Sequence, residues 1–324
     1  MSVRNLIRLH RPSCLLVASA AVVLIGADYS SAGIQGTGRM ALVSSYGRVD
    51  GAGNTLSVNG VDYGLSQAQI QIDGHAATAS QLKVGQLVAV QGALNGVGKG
   101  TARNVTFTGQ VVGPVTRVDV AGGAFTVLGQ QVKVDASTLF GDGIQPAGVG
   151  ALNVGIGVEV SAYRTASGEL LASRIDLQTP GAPLQVQGAV EALNADAQTF
   201  QINSLTVAYQ QSVVNGKLAN ASTATVTADE APSAGTLQAT SVRITNGVAG
   251  ATAGVHGQVE GLVTSIDSAG SFYVDDQRVV TNSETTFVLH GNKLRDNLAV
   301  KVRGMFDSSG ALVARHVGLD PHSP

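Results

Sequence analysis

Thiol chemistry has almost nothing to work with in this chain: 324 residues include a single cysteine, Cys14, and no tryptophan. One cysteine excludes an internal disulfide framework and any thiolate cage for a metal. Charge is scarce too, at 13% of residues, with 20 basic against 22 acidic side chains. That balance gives no electrostatic reason to hold a polyphosphate backbone. Aromatic residues make up 4%, too few for a base-stacking groove, which needs exposed rings beside Lys or Arg. What is plentiful is glycine, 41 residues set between short apolar runs without a collagen period, together with 44% hydrophobic residues. This is the composition of a folded chain made of short strands and many tight turns.

The first 32 residues read differently from the rest. Arg4, Arg8 and Arg11 precede the apolar run from Cys14 to Ile25, and Ser30-Ser31-Ala32 follows it with small residues. That layout predicts a secretory signal peptide, helical and cleaved near Ala32. The run is short for the roughly 30 Å of a bilayer core, so no membrane span is expected in the mature chain. Cys14 stands at the start of the run instead of after a small and aliphatic triplet at its end, which argues against lipid attachment. The expected product is cysteine-free, more acidic than the net −2 of the whole chain, and periplasmic or secreted.

Past that segment one phrase recurs four times. It is GRVDGAGNTLSV from Gly47, GPVTRVDVAGGAFTVLGQQVKV from Gly113, GAVEALNADAQTFQI from Gly188 and GLVTSIDSAGSFYV from Gly261. Gly-x-Val opens each copy, an Asp/Asn/Gly turn interrupts it, and an alternating apolar run closes it. Alternation at period two predicts half-buried strands, and the spacing gives units of about 65 to 75 residues. The division is a signal peptide over 1–32, a Gly-rich tether over 33–44, and repeats over 45–108, 109–179, 184–245 and 255–320, the third divergent. Thr179–Pro183 and Asn246–Gly254 are linkers. A Leu-x-Val-Gly turn marks repeats 1 and 2 at Leu82 and Leu152 and degrades to Leu218-Ala219-Asn220 in repeat 3. Repeat 2 carries an insertion from Thr138 to Gly150, expected as a surface excursion. Five short strands per small unit bury their apolar faces best by closing into a barrel. The predicted class is therefore all-β: four tandem five-stranded OB-like β-barrels, arranged as modules on a string.

Several of these phrases resemble the bacterial domain of unknown function DUF5666, which occurs as tandem repeats in exported proteins. The resemblance rests on VNGVDY from Val58, IDGHAATASQLKVGQLVAVQG from Ile72, VVGPV from Val111 and VLGQQVKVDASTLF from Val127. Repeats 1 and 2 match closely, repeat 4 less so and repeat 3 weakly. The resemblance implies export and a repeated β fold, and it brings no catalytic residues.

The repeated residues have mechanical explanations. Phe125, Phe200 and Phe272, with Leu56 in the same place in repeat 1, are expected as core plugs. The turns at Asp50–Asn54, Asp119–Gly123, Asn194–Asp196 and Asp267–Gly270 supply one carboxylate each, short of the six to eight oxygens calcium takes, and Asp, Asn and Gly are what hairpins need. Histidines 75, 256, 290, 316 and 322 lack metal-ligand spacing. Ser80-Gln81-Leu82-Lys83 spells S-x-x-K without its companion motifs, and no phosphate-binding glycine loop opens a helix. Glu159, Glu191, Glu260 and Glu284 share no repeat position, so no acid–base pair can be assigned. No cofactor or metal is expected.

The function expected from these observations is a non-enzymatic binding or scaffold module of the cell envelope, meeting an unknown envelope protein or a glycan. Its candidate binding residues are Asp50 and Asn54 in the first loop of repeat 1, Asn95 and Lys99 in its last hairpin, and Asp142 in the repeat 2 insertion. Two alternatives remain open. One is an envelope enzyme with its site between repeats 1 and 2 and the Thr138–Gly150 loop as a lid. The other is oligosaccharide or single-stranded nucleic-acid binding by the barrels, which rests on fold analogy.

Overall fold

A computed structural model of the chain describes residues 40–245, 247–267 and 270–320. The expected signal peptide and residues 33–39 of the tether lie outside the described residues, and the end of the tether, 41–44, belongs to the first strand. Repeat 1 contains β1 (Ala41–Ala52), β2 (Thr55–Val58), β3 (Val61–Gly64), a small hairpin of β4 (Gln69–Ile72) and β5 (His75–Ala77), a 3-10 turn at Ala79–Gln81, β6 (Leu87–Gly96) and β7 (Lys99–Phe107). β1 pairs with β2, β2 with β3, β3 in parallel with β7, β7 with β6, and β6 returns to β1. This closed circuit of five strands is the OB-like barrel expected from the sequence.

Repeat 2 closes the same circuit with β8 (Val111–Asp119), β9 (Ala124–Val127), β10 (Gln130–Lys133), β11 (Leu139–Phe140), a 3-10 turn at Val149–Ala151, β12 (Gly157–Arg164) and β13 (Leu170–Leu177). Repeat 3 has β14 (Leu184–Ala189), β15 (Glu191–Asn194), β16 (Thr199–Ile202), β17 (Leu205–Ala208), β18 (Val213–Asn215), β19 (Thr223–Ala228), β20 (Thr236–Gln238) and β21 (Ser241–Thr245). Its first and last strands are each broken in two, so the barrel is assembled from two sheets. Repeat 4 returns to the regular form with β22 (His256–Ile266), β23 (Ser271–Val274), β24 (Gln277–Val280), β25 (Thr286–Val288), β26 (Ala299–Phe306) and β27 (Leu312–Leu319).

The plugs sit where the repeat pattern puts them. Phe125, Phe200 and Phe272 are each 1% exposed and Leu56 is fully buried, a burial worth about 1.5–3 kcal/mol per side chain. The opening glycines are explained by close approach. A Cβ on Gly188 would lie 2.2 Å from Ile202 Cγ2, and one on Gly47 2.7 Å from Asn59 Nδ2. In each repeat the second and third strands fold back through a two-residue turn, at Asn59, Leu128, Asn203 and Asp275, and the first turn residue has a left-handed φ of 54, 46, 50 and 52° respectively. Such turns match the twist of the strands they join.

The Leu-x-Val-Gly turn survives in all four copies as a backbone device. Gly85, Gly155, Ala221 and Asn297 each take a positive φ and donate their N–H to the first strand of their own repeat, at Val49, Val115, Val190 and Val263. The turn of repeat 3 has therefore kept its geometry while losing its glycine.

Two expectations are corrected. The Thr138–Gly150 insertion is a surface excursion only in part: Asp142, Gly143 and residues 145–147 are exposed, but Leu139–Phe140 pairs with β13, and Ile144 and Val149 are 3% and 6% exposed within the core shared by repeats 2 and 3. It is pulled in because its apolar side chains fill the end of its own barrel. Nor are the repeats beads on a string. In repeat 1, β2 pairs only with β1 beyond Val49, which leaves the earlier part of β1 with a free edge, and an unpaired edge recruits another strand. β1 is capped by β22 of repeat 4, in parallel, from Val43↔His256 to Tyr46↔Val259. β8 is met by β14 of repeat 3, antiparallel, at Val112↔Gln185 and Val111↔Val186. First strands thus pair with first strands, and the first repeat closes on the last. Among the described residues no helix is long and apolar enough to cross a membrane.

Candidate functional site

Closure gathers polar side chains from all four repeats at one junction. The position just before the opening glycine holds Tyr46, Val112, Gln187 and Glu260 in the four copies, and those of repeats 1, 3 and 4 lie there. Glu260 on β22 is fully buried. The Tyr163 hydroxyl at the end of β12 donates to its Oε1 at 2.6 Å, and Lys301 Nζ on β26 lies 3.0 Å from its Oε2 and 3.6 Å from Asp320 Oδ1. Leu87, Leu262 and Ala299, with half-buried Tyr46 and Leu171, pack against Tyr163. Burial, and then the charge of Asp320, raise the Glu260 carboxyl above the usual range against the pull of Lys301. Burial and Glu260 hold the Tyr163 phenol well above its ordinary value. For Lys301 burial opposes the charge, but Glu260 and Asp320 outweigh it and its pKa is raised.

The next residue along, Arg164, serves a second group. Its backbone N–H donates to Asp275 Oδ1 at 3.0 Å and its Nη2 donates to the Gln187 carbonyl at 3.2 Å. Asp275 Oδ2 is buried with no hydrogen-bond partner among the described residues. Burial, and then neighbouring Asp276, push the Asp275 carboxyl up to about 7, against its bond to Arg164 and the guanidinium charge. Asp276 is raised as well, by burial, and is held by Arg164 and a bond from Thr223 of repeat 3.

The tips of the two-residue turns supply the remaining contacts. Arg303 of repeat 4 donates to the Asn59 carbonyl of repeat 1 at 3.2 Å. Asn203 of repeat 3 donates to Gln130 Oε1 at 2.6 Å and to the Gly168 carbonyl at 3.1 Å, both in repeat 2. Between repeats 1 and 2, Arg174 holds Asp176 through two bonds of 2.6 and 2.8 Å, Lys83 reaches the same carboxylate at 3.0 Å, and Arg48 donates to the Ser137 carbonyl at 3.0 Å. Nearby, Glu159 is raised to about 7 by burial first and then by Asp73 and Asp176.

Perturbed carboxylates can mark catalytic sites. Here Glu260 and Asp275 are perturbed first by burial and then by carboxylates of their own repeat, Asp320 and Asp276, and each gives one carboxylate oxygen to a group of repeat 2, the Tyr163 hydroxyl and the Arg164 N–H. Among the described residues no group of three His, Cys, Asp or Glu side chains is placed to hold a metal ion. A surface hollow of about 360 Å³ beside the linker from repeat 2 to repeat 3 is lined by Ile156, Gly157, Leu177, Gln178, Thr179, Pro180 and Gly181, none of them ionisable.

The residues singled out from the sequence lie on the outside. Asp50 is exposed on β1, close enough to Lys301 to contribute to raising its pKa. Asn54 is exposed in the turn after β1. Asn95 and Lys99 are exposed in the β6–β7 hairpin, where Asn95 Nδ2 donates to Thr101 Oγ1 at 2.9 Å. Asp142 is exposed in the insertion, and its carbonyl accepts from Gln145 at 3.4 Å. Sequence reasoning weighed Glu260 only as one of four glutamates without a shared repeat position, and passed over Tyr163, Lys301 and Asp275. The available signal was a variable, sometimes charged residue beside an unvarying glycine.

Three segments, residues 43–106, 112–176 and 260–318, match one family model, described as the domain of unknown function DUF5666. They cover more than half of the chain and correspond to repeats 1, 2 and 4. No curated protein matches the chain.

Proposed function

The chain belongs to the DUF5666 family of domains of unknown function, and from that premise we propose that it is an exported, non-enzymatic scaffold of the cell envelope. It presents one rigid four-barrel body whose outer surface, in place of an internal cleft, meets an envelope protein or glycan. The observation that carries this reading is the use of the junction: Glu260, Tyr163, Lys301, Arg164 and Asp275 are turned toward one another between barrels. An enzyme site between repeats 1 and 2 has less support, because Arg48, Lys83, Arg174 and Asp176 span that interface and the would-be lid packs into its own barrel.

The test has two arms. Expression of the full chain in a bacterial host, followed by fractionation and N-terminal sequencing, is expected to find a product beginning near Gly33 in the periplasm or medium. An intact Met1 product confined to the cytosol would end the export reading. Co-sedimentation with purified envelope fractions should be unchanged by Glu260→Gln and reduced by substitutions at Asp50, Asn54, Asn95 and Lys99. The opposite pattern would return the function to the junction.

A further inference from the structure

The contact between repeats 1 and 2 has a knob and a socket. The knob is the turn Leu82–Gly85. A Cβ placed on Gly85, φ +91°, would lie 3.0 Å from Leu139 Cδ1 and 3.2 Å from Arg174 Cβ, and Arg174 Nη1 donates to the Val84 carbonyl at 3.0 Å. The socket is the short edge strand β11 lying parallel to β13, with Leu139 beside Arg174.

Both parts recur elsewhere in the chain without their counterparts. Repeat 2 has the same knob at Leu152–Gly155, with φ +93° at Gly155 and the same N–H bond to the first strand. Its Val154 is 67% exposed, against 37% for the docked Val84. Repeat 3 has the same socket: β18 lies parallel to β21 with Val213 beside Ser241, the places of Leu139 and Arg174. Val213 and Val214 are 64% and 38% exposed. The order of the chain would put the knob of repeat 2 into the socket of repeat 3, continuing the first contact. Those two repeats meet through β8 and β14 instead, so both surfaces face outward.

We propose that a second copy of this chain fills them, the Leu152–Gly155 knob of one molecule seating on the β18 edge of the next. The chemistry carries over. Asn153 stands where Lys83 does, and exposed Arg243 stands where Asp176 does, so no like charges meet. Arg243 lies two residues along β21 from Ser241, on the same face of the strand, where its guanidinium can donate to the Val154 carbonyl as Arg174 does to Val84. Because knob and socket are different surfaces, the contact is heterologous and propagates head to tail, into a ring or a filament.

Sedimentation velocity between about 5 and 500 µM covers the range in which a small interface assembles. The wild-type chain is expected to shift from monomer to larger species, while Val154→Asp and Val213→Asp each stay monomeric across the range. An equimolar mixture of the two variants should give a 1:1 dimer and nothing larger, since one keeps an intact socket and the other an intact knob. Phe287→Asp, at the corresponding edge of repeat 4, should associate as wild type does. A monomeric wild type, association that survives either variant, a mixture that stays monomeric, or loss of association in Phe287→Asp would overturn the proposal. Unchanged thermal unfolding of each variant controls for misfolding. In a Cys14→Ser background, oxidation of mixed Val154→Cys and Val213→Cys chains should cross-link the two to each other well above either to itself, and no such preference would count against the contact.

Discussion

The hydroxyl of Tyr163 reaches Glu260 at 2.6 Å, across 97 residues of chain and from the second barrel to the fourth. Both ends are sealed from water, so the bond is judged by what its loss would leave behind. In Tyr163→Phe the Oε1 of a buried carboxylate has no donor, which costs about 1–3 kcal/mol. Urea unfolding should show that loss as a lower midpoint with an unchanged slope. Glu260→Gln combined with Tyr163→Phe should cost less than the sum of the two single changes. Strict additivity would mean that the two side chains do not act on each other.

The Asp275 carboxyl gives the stability a direction with pH. Its value in the folded chain is about 7 against an ordinary 3.8, so between those values the folded state binds the proton that the unfolded state releases. Its contribution is complete below about pH 4 and is lost as pH rises toward 7. Glu159, also near 7, acts in the same direction. Thermal unfolding temperature is expected to fall between pH 5 and pH 8. Asp275→Asn, which keeps an acceptor for the Arg164 N–H, should flatten that slope; a slope as steep as wild type would place its origin elsewhere.

Gly188 should tolerate no side chain at all. A Cβ there lies 2.2 Å from the stiff, branched Ile202, and overpacking of this kind costs about 1–3 kcal/mol. Gly188→Ala is expected to lower the unfolding midpoint accordingly, and Gly188→Ala with Ile202→Ala should recover the overlap while exposing the cost of the missing Ile202 methyls. A silent Gly188→Ala would mean that strand and hairpin are not in contact there.

The barrel itself was legible in the sequence because it is built from local, repeated needs. Phe125 must plug a core and Asn59-Gly60 must reverse two strands; each requirement lies within a few residues of its cause. The junction was not legible because its partners are far apart in sequence. Glu260 has no reason to be glutamate until Tyr163 and Lys301 are beside it, and repetition hides such residues, since the copies agree on what makes a barrel and differ on what joins barrels. The Thr138–Gly150 insertion misled for the opposite reason. It stands out as extra length against the other repeats, which reads as a surface excursion, while the pairing of Leu139–Phe140 with β13 and the burial of Ile144 and Val149 bring it back to the core.

Pairing of first strands also sets a rule of parity. In a solenoid each unit touches only its neighbours, so units can be gained or lost one at a time. Here the edges of the first strands are used up in twos, β1 with β22 and β8 with β14. Duplicating a single barrel would leave one edge unanswered and open to any passing strand. A lineage of such proteins that keeps this closure is expected to grow and shrink by pairs of barrels.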